Sequence, residues 1–372
     1  MGGHMLSGAR EVAAVARALA DETERGRQLA PQLVAELKAT DLLRIGLTID
    51  LGGTEPTTAE ILQAAETIAE GDASAGWCVS IAATSSLLGA YLPEKGGQEV
   101  FSDPTSVAAG VWAPHAKGVA VKGGVRITGR WSFCSGIRHS DWIFLGFMQD
   151  GRVRTAAIQT AELEILDTWH TSGLRGTGST DAVANDVFVP DERLLSVVDG
   201  PPAGSRTLQR FPLFGFFASS IAAASLGNAR GAMTEFVELA TVRKPSGSSR
   251  STAERSATQS AFAEAEASLR AARCLFYQAI DDAWQAAKEE TPVSVELRTS
   301  LRLACTYAVR TAATVVRVVY DLSGSSAIYE DAPLQRRFRD AHTATAHFQV
   351  NPAMYRLTGR VLLGLPTETD QL

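Results

Sequence analysis

Apolar positions recur every three or four residues from Ala9 to about Gly97, the period of helices with one buried face. "ARALADETERGRQLAPQLVAELKATDLL" repeats that spacing throughout. "PTTAEILQAAETIAEGDASAGWCVSIAATSSLLGAYL" predicts two further helices broken at Gly71-Asp72, with the Thr57 or Thr58 hydroxyl as N-cap and Glu60 in the first turn. From about Thr105 to Leu195 the period changes to two. "GVAVKGGVRITGRWSF" alternates around Gly123-Gly124, and "DWIFLGFMQDGRVRTAAIQ" around Asp150-Gly151; both predict hairpins. "DAVANDVFVPDERLL" adds a strand that Pro190 stops.

Helical spacing returns from Phe211. It predicts four long helices, over Ser219–Thr241, Thr252–Lys288, Ser294–Ser323 and Asp331–Leu363. Each exceeds the mean of about 11 residues, and their Ala-Leu-Val density predicts a four-helix bundle with a surface left over for further packing. The Ser-rich, basic segment "RKPSGSSRSTAER" reads as an exposed loop between the first two. The chain is therefore α+β and mainly α. An N-terminal helical domain takes residues 6–104, a central antiparallel β-domain 105–205, and a C-terminal four-helix bundle that also serves oligomerisation 206–372.

Composition narrows the function classes. The 372 residues are 45% hydrophobic and 20% charged, an ordinary globular balance. The net charge of -6, without a Lys/Arg stripe, argues against nucleic acid or an anionic membrane as partner. Cys78, Cys134, Cys274 and Cys305 are far apart and form no C-x-x-C pair, so reduced thiols in a cytoplasm are expected. Met1–Met5 reads as a cloning scar. No apolar run approaches the ~20 residues of a membrane helix, and no membrane association is expected.

Helices, then a small β-domain, then a bundle is an uncommon order, and four stretches within it resemble the acyl-CoA dehydrogenase fold. They are "EGDASAGW" (Glu70–Trp77), "GRWSFCSG" from Gly129, "GLRGTGSTDAVANDVFVPDE" (Gly173–Glu192) and "LQRRFRDAHTATAH" (Leu334–His347). The resemblance covers essentially the whole chain. In acyl-CoA dehydrogenases a Glu base often lies nine residues after the Arg of "RDA"; here that position is Phe348, and the nearest ionisable group is His347. A histidine there is similar to the branch of two-component, reduced-flavin-dependent monooxygenases. That branch takes reduced FAD or FMN from a separate flavin reductase, binds O2 as a C4a-hydroperoxyflavin, and hydroxylates aromatic, heteroaromatic, sulfur or amine substrates. Alternatives on the same fold are a flavin oxidase or desaturase, an N- or S-oxygenase, and a non-catalytic binding protein.

The resemblance implies the site residues. Ser135, at a Ser-Gly strand end where the backbone can press on a ring edge, is expected to donate to flavin N5 or the peroxide. Trp131 and Phe133, on one strand face, would cover the ring, with Trp112 as a further flavin neighbour. His347 is expected as the base that activates a phenol or indole, suited by an ordinary pKa of about 6.5. His139 would reach the substrate pocket; His115 is ambiguous, and Cys134 is expected to be a packed thiol. Arg243 would pair with flavin phosphate, and Ser325 and Ser326 would meet a cofactor across a subunit interface, in a homotetramer or homodimer. His342 and His347 lie five apart and share no helix face, so no metal is expected. The absence of a charge cluster suited to CoA points to an aromatic or indole-like substrate.

Overall fold

The computed structural model describes residues 2–244, 247–289 and 291–372. Six helices open the chain: α1 (Gly2–Ala18), α2 (Ala20–Gly26), α3 (Pro31–Ala39), α4 (Thr58–Gly71), α5 (Ala73–Leu88) and α6 (Glu94–Phe101). Helix α1 thus begins inside the stretch set aside above. The N-cap of α4 is Thr57: its hydroxyl accepts from the Glu60 amide while Glu60 accepts from the Thr57 amide. The break at Gly71-Asp72 is a relay, because buried Asp72 ends α4 and its Oδ1 accepts from Ala75 N at 2.9 Å to start α5.

Helix α5 corrects one expectation. With the turn after it (Ala73–Tyr91) it is long and apolar enough to cross a membrane, yet 89% of that window is buried inside the protein. Its Ser, Thr and Gly residues hide the run from a count of large apolar side chains. It is the central core helix of the N-terminal half, packed on α4, α8 and the sheet.

Seven strands follow: β1 (Ala108–Val121), β2 (Gly124–Trp131), β3 (Trp142–Gln149), β4 (Arg152–Gln159), β5 (Glu164–Leu166), β6 (Asp181–Pro190) and β7 (Leu194–Leu195). They form one sheet in the order β5-β6-β2-β1-β3-β4-β7. Both hairpins form, with Gly123, Asp150 and Gly151 at positive φ in the turns. The sheet is mixed rather than antiparallel, because β3 runs parallel to β1 with Ala108 opposite Trp142. After β2 the chain crosses the end of β1 and enters β3 on its far side. Strands lie about 4.8 Å apart, so the ten residues 132–141 are ample for that crossing. The Cys-Ser-Gly strand break is this crossover.

The C-terminal part holds α7 (Thr207–Arg210), α8 (Leu213–Val242), α9 (Ser256–Lys288), α10 (Val295–Ser323), α11 (Pro333–Ala344) and α12 (Ala353–Leu362). Helix α8 is its axis, packing on α4, α5, α10 and α11. Gly227 and Gly231 allow this closeness: a Cβ at either would fall 2.1 and 2.4 Å from the carbonyl oxygens of Glu66 and Glu70. The fourth predicted helix is broken. Pro352 lacks an amide hydrogen and disfavours helix at the residue before it, so Thr345–Pro352 forms a loop between α11 and α12. His347 lies on that loop, not on a helix.

Candidate active site

Three segments distant in sequence meet around Trp77. The indole sits in the second turn of α5, and its Nε1–H donates to Ser135 Oγ at 3.2 Å. Its ring stands edge-on to the His347 imidazole, centroids 5.6 Å apart. Trp77 is thus the direct link between the β-sheet crossover and the α11–α12 loop.

The crossover is stapled to the Gly173–Glu192 segment. Cys134 N donates to Thr180 O and Gly136 N to Thr177 O. A chain of hydroxyls runs beneath it: Ser135 Oγ lies 2.7 Å from Ser179 Oγ, which lies 2.6 Å from Thr177 Oγ1, which donates to Leu174 O at 2.8 Å.

Trp131 and Phe133 part company here. Trp131 ends β2 fully buried in the sheet core, its Nε1 donating to Gly146 O at 2.6 Å, so it is not available to cover a ring. Phe133 lies beyond the strand at φ 66°, which breaks the alternation and turns its side chain outward. It is 68% exposed, edge-on to Trp169. Cys134 is a packed thiol whose pKa burial pushes up to about 12.

His139 is half-buried behind Gly136, where a Cβ would come within 3.1 Å of its Nε2. Burial, with a smaller contribution from Lys38, lowers its pKa to about 4. It packs against the crossover at Gly136. His115 is exposed on the β1 irregularity between Val111 and Ala116, and His342 is exposed against Phe338.

His347 is half-buried, and burial, then the Arg302 cation, lower its pKa to about 4. Its Nδ1 accepts from the Gln349 amide at 3.3 Å, so the neutral ring carries its hydrogen on Nε2. This differs from the base expected from the sequence: Nε2 is a donor, and a ring this hard to protonate is a weak base at neutral pH. The loop is anchored by Arg302, a fully buried guanidinium that donates to Gln349 Oε1 and to Phe214 O.

From His347 a row of rings continues. Phe348 stacks at 5.0 Å on His347 and lies 5.6 Å from Trp112, which contacts Phe214 at 5.0 Å and Phe217 at 6.1 Å. Trp112 sits at the β1 bulge, a device that re-aims a side chain. Phe348 is 43% exposed.

A second group stands apart. Arg243, just past α8, donates to Ser323 O and lies against Gly324, at the head of the 3-10 turn Gly324–Ala327 that carries Ser325 and Ser326. Ser325 is exposed and Ser326 half-buried. Phe217 and Arg243 are separated by most of α8, roughly 39 Å at 1.5 Å per residue. Among the described residues no cluster of His, Cys, Asp or Glu could hold a metal.

Sequence reasoning missed Trp77, Ser179, Thr177, Phe214, Phe217 and the packing role of Phe348. The hydroxyl-rich "GTGST" run was a readable signal; the Phe residues of α8 were not, because helical spacing alone reads them as core.

A core helix on a mixed β-sheet, backed by a helical bundle, with an aromatic-lined Ser/His site at their junction, defines a flavoprotein of the acyl-CoA dehydrogenase fold. The family "Acyl-CoA dehydrogenase, C-terminal domain" matches residues 219–352. An indole-3-acetate monooxygenase of Pseudomonas putida is 33% identical over 97% of this chain and 92% of its own length. The oxygenase component of an FADH(2)-dependent resorcinol hydroxylase from a Rhizobium species is 29% identical over 95% of this chain and 92% of its own. The solved structure of XiaF from a Streptomyces species, in complex with FADH2 and glycerol, superposes with a TM-score of 0.92 at 26% identity, over 98% of this chain and 96% of that one. The chain belongs to the family of flavin-dependent monooxygenases, oxidoreductases that use reduced flavin and O2.

The residues fit such a cofactor. Phe133 and Phe348 are exposed rings flanking Ser135 and His347, apolar surface that a planar ligand would cover. Ser135 retains one hydrogen-bonding position beyond its contacts with Trp77 and Ser179.

Proposed function

We propose that this chain is the oxygenase half of a two-component system in which a separate reductase supplies reduced FAD or FMN, and that it hydroxylates an aromatic substrate of phenol or indole size. The observation that carries this reading is the row of rings from Trp77 through His347 and Phe348 to Trp112, Phe214 and Phe217, next to the Ser135 crossover. Bound reduced flavin would activate dioxygen and supply one oxygen atom. The chain's own residues bind, orient and exclude water. Ser135 and Phe133 hold the cofactor edge. Trp112, Phe214 and Phe348 hold the substrate ring. His347 offers Nε2–H to the substrate's polar group, and Trp77 keeps His347 and Ser135 in register.

The Arg243 and Ser325–Ser326 group serves a cofactor seated in a second copy of the chain. At roughly 39 Å along α8 from Phe217 it is too far to serve the site of its own chain. The exposed Val242, Ile328 and Tyr329 beside it are apolar surface for that copy to cover. A homotetramer or homodimer is therefore part of the proposal. Four unpaired cysteines suit a reducing cytoplasm.

The test is incubation with chemically reduced FMN or FAD, 18O2 and a panel of indoles and phenols, read by mass spectrometry. Incorporation of one labelled oxygen atom is expected. Oxygen-independent bleaching of bound oxidised flavin by substrate would replace the reading with a dehydrogenase. His347→Ala should lower turnover by about a hundredfold or more with flavin affinity within about twofold, while His347→Gln, which keeps an N–H donor, retains part of it. A pH limb between 5 and 7 that His347→Gln abolishes would restore the base.

A further inference from the structure

The hydroxyl chain under Ser135 has a direction, and the direction selects the redox state of the cofactor. Thr177 Oγ1 lies 2.8 Å from the carbonyl oxygen of Leu174. A carbonyl only accepts, so two oxygens at that distance attract only if the Thr177 hydrogen lies between them. With that hydrogen used, the 2.6 Å contact to Ser179 must use the Ser179 hydrogen, and the 2.7 Å contact from Ser179 to Ser135 must use the Ser135 hydrogen. Trp77 Nε1–H occupies one Ser135 lone pair. What remains on Ser135 is a single lone pair.

The backbone on either side of Ser135 offers no substitute donor. The amides of Cys134, Ser135, Gly136, Ile137, His139 and Ser140 are each donated to carbonyls within the fold, among the described residues. Ser135 and the amides next to it therefore present an acceptor with no spare hydrogen.

We propose that Trp77, Ser179 and Thr177 lock Ser135 as a hydrogen-bond acceptor, so that the site favours flavin carrying N5–H over oxidised flavin, whose bare N5 is itself an acceptor. This rests on the reading that the flavin edge meets Ser135. It also reverses the expectation that Ser135 donates. Oxidised flavin would face two lone pairs with no hydrogen between them; reduced flavin supplies that hydrogen. Ser179 and Thr177 are positioning residues that act through Ser135.

The test is anaerobic equilibrium titration with oxidised and with photoreduced FMN and FAD, comparing the ratio of their dissociation constants. In Ser179→Ala the Ser135 hydrogen is released and can turn to oxidised N5. The preference for reduced flavin should shrink about tenfold, mostly by tighter oxidised binding, with reduced affinity within about threefold. Thr177→Val frees Ser179 to donate to Ser135 and should move the ratio the same way, which covers a Ser179 variant that fails to fold. In a Ser135→Ala background the Ser179 substitution should have no further effect on the ratio. A wild type that bound neither form would overturn the flavin reading of the site and this inference with it. A wild type that preferred reduced flavin, with a ratio unchanged in both Ser179→Ala and Thr177→Val, would overturn the locked polarity alone.

Discussion

Arg337 is the most consequential buried charge in the fold, and its replacement gives a measurable test of how the site is held. Its guanidinium, 2% exposed, donates to Glu235 Oε1 at 2.9 and 3.1 Å and to the carbonyls of Ala69, Glu70 and Gly71 at 2.9, 2.6 and 2.8 Å. Those carbonyls are the open C-terminal end of α4, where a cation is doubly favourable. Arg337→Met keeps most of the packed volume and removes every donor. The Glu235 carboxylate is then left buried without its cation, which costs about 3–5 kcal/mol, and three carbonyls lose partners at about 1 kcal/mol each, partly recovered by entering water. A loss of about 5 kcal/mol follows, a large share of the 5–15 kcal/mol typical of a folded domain. Urea unfolding followed by circular dichroism measures it. Adding Glu235→Leu removes the orphaned charge and should return about 2–3 kcal/mol. A single-variant cost below about 1 kcal/mol, or a double variant no more stable than the single, would refute the account. The site feels this because Arg337 lies on α11, which leads into the His347 loop, and grips Gly71, the residue before the Asp72 cap of the helix carrying Trp77.

Trp77→Phe keeps a ring beside His347 but removes the donor to Ser135 and leaves a void the size of a pyrrole ring. The expected cost is about 2 kcal/mol in the same unfolding assay, and a cost under about 0.5 kcal/mol would mean that no buried hydrogen bond is lost. Stability should also fall as pH drops from 6.5 to about 4, because His347 and His139 have folded pKa values near 4, so the unfolded chain binds more protons in that window. Asp340, raised to about 7 mainly by burial, works in the opposite sense, contributing stability at low pH that is lost as pH rises through 7. His347→Gln should flatten the acid-side slope by up to about 1.4 kcal/mol per pH unit relative to wild type, and coincident slopes would show that His347 is not depressed.

Periodicity located the helical and strand regions, because burial of one face imposes it. It read both hairpins and the Thr57–Glu60 cap, which are local. It did not read the parallel pairing of β1 with β3, since strand partners depend on where a crossover goes rather than on the strands themselves. It overextended the last helix through Thr345–Pro352, where Pro352 alone marked the break. The site shows the same division. Ser135 and His347 were singled out by the resemblance to a known fold, which places them by order along the chain, and both meet Trp77 in the structure. Trp131 and Phe133 were set on one face because strand alternation was carried two residues beyond the strand, to the left-handed turn at Phe133. The direction of the hydroxyl chain was out of reach, because it depends on distances among Thr177, Ser179 and Ser135 that no spacing encodes.

Ser135 and His347 share a physical theme. On the proposed reading both polar groups at the junction take the reverse of the roles expected from the sequence: Ser135 accepts and His347 donates. Each is fixed by a backbone group that cannot change its role. The Leu174 carbonyl can only accept, and it sends the hydroxyl hydrogens inward and leaves Ser135 an acceptor. The Gln349 backbone amide can only donate, and it fills His347 Nδ1 and leaves the hydrogen on Nε2. Side-chain hydroxyls and imidazoles are ambivalent by themselves; a buried backbone anchor removes the ambivalence without adding a formal charge. In an aromatic-lined site that is the economical solution, since a neutral donor or acceptor costs far less to desolvate than an ion. The buried Arg302 cation is spent on the α8 carbonyl of Phe214 and the loop's Gln349 amide oxygen, and burial, helped by its field, keeps the imidazole neutral. Two opposite, uncharged polarities bridged by one indole are what a site needs to hold a reduced ring on one side and a substrate's polar group on the other.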